Sequence, residues 1–153
     1  MPAEQLVEEL IPYWQAAGYQ FNADTDRAWL LRLTSLIGAS LARLGECVEI
    51  SRTFFTPTAT LNEEAQAQLT QDGVNAVLTN LLTALNSQPN LTETEAQELI
   101  KLVTKEQNVK KGLVMRSLRA ALTGEVHGPD LIQSWLLLHQ HQLAGARIEQ
   151  ALG

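Results

Sequence analysis

An all-α fold of about eight helices follows from three features of the chain. Apolar residues recur at three- and four-residue spacing in almost every segment. No stretch keeps the two-residue apolar–polar alternation of a half-buried strand. Glycine, proline and helix-capping residues interrupt the periodic segments at short intervals, which favours antiparallel neighbours on short connectors. No fixed-period repeat is present, so a solenoid is the lesser option.

Each element has its own signal. Pro2 suits a first helical turn, and Leu6, Leu10, Ile11 and Trp14 form a stripe that ends near Ala17-Gly18. Tyr19-Gln20-Phe21-Asn22 reads as a connector. Asp24 or Thr25 is placed to cap a helix carrying Trp29, Leu30, Leu33, Leu36 and Ile37. Gly38 and Ser40 interrupt it, after which Leu41, Leu44, Cys47 and Val48 continue a helical stripe towards Phe54-Phe55. Gly45 lies inside that stripe at a cost of ~1 kcal/mol against alanine. Thr56-Pro57-Thr58 marks the best candidate for an internal seam.

Beyond the seam, Asn62 can start a short helix over Glu63–Thr70, broken at Asp72-Gly73. Val74, Val77, Leu78, Leu81, Leu82 and Leu85 make a strongly amphipathic helix that stops at Asn86-Ser87-Gln88-Pro89. Thr92 with Glu95 has the form of a capping box for a helix over Glu93–Glu106. Gln107-Asn108 turns the chain into a basic helix, Lys110–Thr123, closed by Gly124. After a loop through Glu125-Val126-His127-Gly128, Pro129-Asp130 starts a helix built on Leu131, Ile132, Trp135, Leu136 and Leu138. Gln142–Leu152 is the last amphipathic segment.

Composition narrows the class. With 153 residues, 45% of them apolar and 18% charged, the chain can bury one real core. No apolar run approaches the ~20 residues of a membrane span, so no membrane partner is expected. The opening Met1-Pro2-Ala3-Glu4 lacks the basic and apolar regions of a signal peptide. One cysteine, Cys47, excludes an internal disulfide and fits a reducing, cytoplasmic setting.

The net charge of −6 argues against a polyanion, but its distribution argues the other way. Residues 101–119 hold Lys101, Lys105, Lys110, Lys111, Arg116 and Arg119 against a single Glu106. That window carries +5 and the remainder −11. A chain so divided steers an anion to one place.

Catalytic machinery is missing from the pattern. His139 and His141 stand two apart, on different helix faces, where ligand pairs need a spacing of three or four. There is no Gly-x-Ser-x-Gly elbow, no Walker loop and no GxGxxG. Neither a catalytic residue nor a metal is therefore expected in this chain. The stretch Lys110–Leu131 is different. Arg116 and Arg119 lie one turn apart, and Ala120 and Ala121 would let a ligand approach the helix closely. Gly128-Pro129 would open the next helix with its amides free to meet an anion or a base edge.

The string MRSLRAALTGEVHGPDL, with Lys110-Lys111-Gly112 before it and a leucine-rich helix after it, resembles the C-terminal anticodon-binding domain of bacterial-type, cyanobacterial-like glutamyl-tRNA synthetases. The family's Leu-Arg-Ala-Ala-Leu-Thr-Gly core is matched from Leu118 to Gly124, and the likeness extends over essentially the whole chain. It implies two packed helical subdomains, roughly 1–56 with a connector and 57–153, and a tRNA partner. It also implies that the chain is a fragment or detached domain of a longer ligase. That parent attaches glutamate to tRNA with ATP and magnesium, and this piece alone would be inactive.

The family's anticodon-contacting arginine falls on Arg119, and its loop and helix start fall on Gly128, Pro129, Asp130 and Leu131. Around it, Lys110, Lys111, Arg116 and Thr123 complete the expected RNA-binding set, with the lysines and Arg116 on phosphates. Discriminating members carry a further arginine before the Phe-Phe pair. Here that window, Leu36 to Ser40 with Gly38 and Ser40 in it, has no basic residue, and Arg43 is the nearest candidate. The resemblance thus implies a monomer that accepts glutamate tRNA and, without discrimination, glutamine tRNA. The rival reading is a helical protein-interaction module that binds no RNA.

Overall fold

In the computed structural model, which describes residues 2–56, 58–88 and 90–152, the apolar stripes become nine α-helices with no strand among the described residues. Pro57 and Pro89, both expected as punctuation, lie outside the described residues. By its internal contacts the chain divides into two units, Met1–Thr56 and Pro57–Gly153.

The first unit holds α1 (Ala3–Ala16), α2 (Arg27–Ile37) and α3 (Cys47–Phe55). Helix α1 turns Val7, Leu10, Ile11 and Trp14 inward, and α2 answers with Trp29, Leu30, Leu33 and Ile37. The connector between them is packed. Phe55 stacks on Tyr19 with ring centroids 4.7 Å apart and lies 5.4 Å from Trp14, 5.6 Å from Phe21 and 5.4 Å from Trp29. The Tyr19 hydroxyl donates to the Val48 carbonyl at 2.6 Å, which pins the connector to α3.

Two local expectations fail in this unit, for the same reason. Neither Asp24 nor Thr25 caps α2. Their backbone N–H groups donate to Asn22 Oδ1 at 2.9 and 3.0 Å, so Asn22 folds the preceding turn and Asp26 takes the N-cap position. Nor is the stretch from Leu41 to Phe55 one helix. After a 3₁₀ turn at Gly38–Ser40, Leu41 and Arg43 are extended, and a second 3₁₀ turn at Leu44–Glu46 precedes α3. The Glu46 carboxylate accepts from the N–H groups of Ala42 at 2.8 Å and Arg43 at 2.6 Å. A side chain that bonds nearby backbone N–H groups, as Asn22 and Glu46 do here, competes with helix propagation.

The second unit is organised around α7 (Lys111–Thr123), which packs against α4 (Glu63–Leu69), α5 (Val74–Asn86), α6 (Glu93–Glu106), α8 (Leu131–Gln140) and α9 (Leu143–Leu152). Its buried side is Val114, Ser117, Leu118, Ala120, Ala121 and Leu122. The expected caps are in place. Asn62 Oδ1 accepts from Ala65 N at 2.8 Å, and Thr92 with Glu95 closes a reciprocal capping box at the start of α6. Inside the core, Gln68 Nε2 donates to Ser117 Oγ at 3.0 Å and ties α4 to α7.

Candidate nucleic-acid interface

The cationic window divides into groups that face water and groups that hold the fold. Lys101, Lys105, Lys110, Lys111 and Arg116 are exposed. Arg119 is half-buried, and its Nη1 donates to the Pro129 carbonyl across the loop. Burial pulls its guanidinium below the usual arginine value, and the nearby Asp130 carboxylate offsets part of that. The structure therefore brings Arg119, Pro129 and Asp130 together, while Arg116, one turn earlier, stands in solvent. Gly128 lies close to the same guanidinium: a Cβ on it would be 3.6 Å from Arg119 Nη1.

The loop between α7 and α8 is held at both ends. At its start Gly124 has φ +80°, the left-handed conformation in which glycine closes a helix, and its N–H returns to the Ala120 carbonyl at 2.9 Å. A Cβ there would lie 2.0 Å from the Thr60 carbonyl oxygen, so the backbone of the segment before α4 presses directly against it. The Asn62 N–H donates to the Gly124 carbonyl at 2.9 Å in the same junction. Thr123 Oγ1 donates back to the Arg119 carbonyl at 2.9 Å, which occupies the hydroxyl inside the helix. At the far end Asp130 Oδ1 accepts from Gln133 N at 2.9 Å.

Three expectations about this stretch need correcting. Ala120 and Ala121 are buried against the core, so the small residues serve helix packing and leave no approach for a ligand. The start of α8 is not open at every amide, because the Asp130 side chain already takes one of its first-turn donors. The side chain of Leu131 is 3% exposed and belongs to the core. The exposed part of the loop is Glu125, His127, Gly128 and Asp130, with His127 Nε2 3.9 Å from the Glu64 carboxylate.

The sequence reading missed one buried cation. Arg147 on α9 is 1% exposed, and its Nη1 donates to the Leu122 carbonyl at 2.5 Å, at the end of α7. Its only sequence signal is an arginine sitting on the apolar stripe of an amphipathic segment.

In the first unit, Gly38 and Arg43 line one open groove of about 470 Å³ together with Leu6, Thr34, Ala39 and Leu44. Ser40 is exposed and is not part of that lining. A Cβ on Gly38 would lie 3.2 Å from Leu6 Cδ2, so the glycine admits close packing of α1. Among the described residues no group of three or more His, Cys, Asp or Glu side chains could hold a metal ion. No helix among them is long and apolar enough to cross a membrane.

The chain matches the family described as anticodon binding domain over residues 5–152. It is 58% identical to the glutamate–tRNA ligase of a Nostoc species over 151 residues, 99% of this chain and 32% of that relative. The glutamate–tRNA ligase of Trichormus variabilis is 57% identical, again over 99% of this chain and 31% of its own length. The chain thus spans about a third of the curated relatives it matches. Its fold superposes with a TM-score of 0.85 on the crystal structure of a glutamate tRNA ligase from Elizabethkingia meningosepticum, over 99% of this chain and 29% of that one, at 19% identity. With a family match from Gln5 to Leu152 and this all-helical architecture, the chain belongs to the anticodon binding domain family.

Proposed function

We propose that the chain is the anticodon-binding segment of a glutamate–tRNA ligase and that α7 with the loop behind it meets the anticodon loop of glutamate tRNA. The observation that carries this reading is the 58% identity to a glutamate–tRNA ligase across 99% of the chain. The charge layout supports it, since residues 101–119 carry five exposed cations and a charge of +5 in an otherwise acidic protein. Single-stranded loops are recognised through splayed bases hydrogen-bonded on their edges. Lys110, Lys111 and Arg116 neutralise phosphates. Arg119 offers the guanidinium edge not engaged with Pro129 to a base. Gly128 and Asp130 form the exposed rim beside it, with the half-buried Pro129 between them, and Leu131 contributes only backbone there. Thr123 acts indirectly, by closing the last turn of α7.

In the first unit, Gly38 and the exposed Arg43 line one groove, and Ser40 lies outside its lining. We assign to this window the relaxed reading that admits glutamine tRNA as a second partner. The whole ligase, a soluble cytoplasmic monomer in this reading, attaches glutamate to tRNA with ATP and magnesium. In this reading the chemistry belongs to the remaining two thirds of the relatives' length.

The test is fluorescence anisotropy with labelled anticodon stem-loops. The glutamate stem-loop is expected to bind most tightly, with the glutamine one close behind and an unrelated anticodon weaker. Equal affinity for all three would reduce the site to a general RNA surface, and absence of any RNA binding would overturn the reading altogether.

A further inference from the structure

The end of α7 is gripped from behind by α9. Arg147 Nη1 donates to the Leu122 carbonyl at 2.5 Å, and one turn later Gln150 Nε2 donates to the Ala59 carbonyl at 3.3 Å. Leu122 and Ala59 belong to the two backbone segments that meet where Gly124 abuts Thr60 and bonds Asn62. One face of α9 thus holds both sides of the junction from which the loop departs.

A buried arginine is a costly way to fill this position. Apolar residues of similar volume would pack without removing a cation from water, and such replacements are often neutral or stabilising. Burial pushes the Arg147 guanidinium down to about 10. What the arginine adds is directional. The last four carbonyls of a helix have no partner within it, and the partial negative charge at that end favours a cation. Arg147 meets one of those carbonyls on the interior side, two residues before Gly124.

We propose that Arg147 is a positioning residue for the loop 124–130. By holding the Leu122 carbonyl, it sets where the chain leaves α7 and so where Gly128, Pro129 and Asp130 stand beside Arg119. The proposal rests on the anticodon-loop reading for its effect on RNA and on geometry alone for its effect on the loop.

The experiment compares the 153-residue chain with Arg147→Met and Arg147→Lys. It follows amide hydrogen exchange, thermal midpoint and affinity for the glutamate anticodon stem-loop. Arg147→Met is expected to speed exchange at Glu125, Val126 and His127 selectively. It is expected to weaken stem-loop binding about tenfold with little change in Tm, and Arg147→Lys should recover part of both. Exchange that rises evenly through α5, α6 and α7, or loop exchange and affinity equal to wild type, would overturn the assignment. Should Arg147→Met not fold, Arg147→Gln supports the same comparison, local acceleration against uniform. A wild-type chain that binds no stem-loop would sink the function proposed above. The exchange data, which need no RNA, would still decide the role of Arg147.

Discussion

Gly124 abuts the Thr60 carbonyl so closely that a single added methyl group would lie 2.0 Å from its oxygen. No neighbouring side chain can move to relieve that contact, because the obstacle is backbone. The same residue needs φ +80°. Gly124→Ala therefore meets two penalties, a left-handed conformation costing ~1–2 kcal/mol and a clash that forces the two segments apart. Urea unfolding is expected to show a loss of at least ~2 kcal/mol. A loss near that expected for an ordinary exposed helix end would mean that the junction is loose.

Arg119 and Lys110 separate base recognition from charge. Arg119→Ala removes the fork beside the exposed loop and releases Pro129, so it should weaken the cognate stem-loop by ~1–3 kcal/mol and blur discrimination at one position. Lys110→Ala should weaken all RNAs alike and flatten the salt slope by about 0.7–0.9. Titrations of both variants at several salt concentrations check this. Unchanged affinity in Arg119→Ala would remove that residue from the interface.

Phe55 is the hub of the first unit, in ring contact with Trp14, Tyr19, Phe21 and Trp29. Phe55→Ala opens a void among four rings and should cost about 3 kcal/mol or more. The connector 19–22 should lose hydrogen-exchange protection with it. A cost below about 1 kcal/mol would show that the cluster packs only loosely.

Cys47 gives the protein an alkaline limit. Its thiol is fully buried, and burial pushes it up to about 11 from 9.0. The folded state then holds a proton that the unfolded chain gives up. The resulting stabilisation is complete below pH 9 and is lost as pH rises through 11. It amounts to about 2–3 kcal/mol at most, from 1.36 kcal/mol per unit. Arg147 works in the opposite direction above pH 10, because its folded value is depressed. Comparing wild type with Cys47→Ala cancels that term, and the variant should lose less stability between pH 9 and 11. Parallel curves would show that Cys47 is not the group responsible.

Local signals survived folding where their physics is local. Asn62 caps α4 and Thr92 with Glu95 boxes α6 because each bond spans three residues. Glycine at 124 ends α7 for an equally local reason, its freedom at positive φ. The misplaced start of α2 was decided by Asn22, whose side chain served a neighbouring turn instead. The run before Phe55 read as one helix because its leucines kept the right spacing, while the Glu46 carboxylate drew the backbone out of it.

By itself, then, the sequence determined an all-helical chain, most of its helices and caps, the concentration of positive charge around α7, and the family to which it belongs. The helices, caps and charge are properties of spacing, short-range hydrogen bonds and composition, which a linear string carries directly, and the family showed through resemblance at Leu118–Gly124. Tertiary structure alone decided which members of the cationic stretch face water and which are anchored. Arg116 and Arg119 look equivalent at three residues apart, yet one is exposed and the other is tied to Pro129. Ala120 and Ala121 turn inward, and Arg147, far along the chain, reaches the end of the helix that carries them all. Those outcomes depend on what packs against each face, which periodicity does not specify.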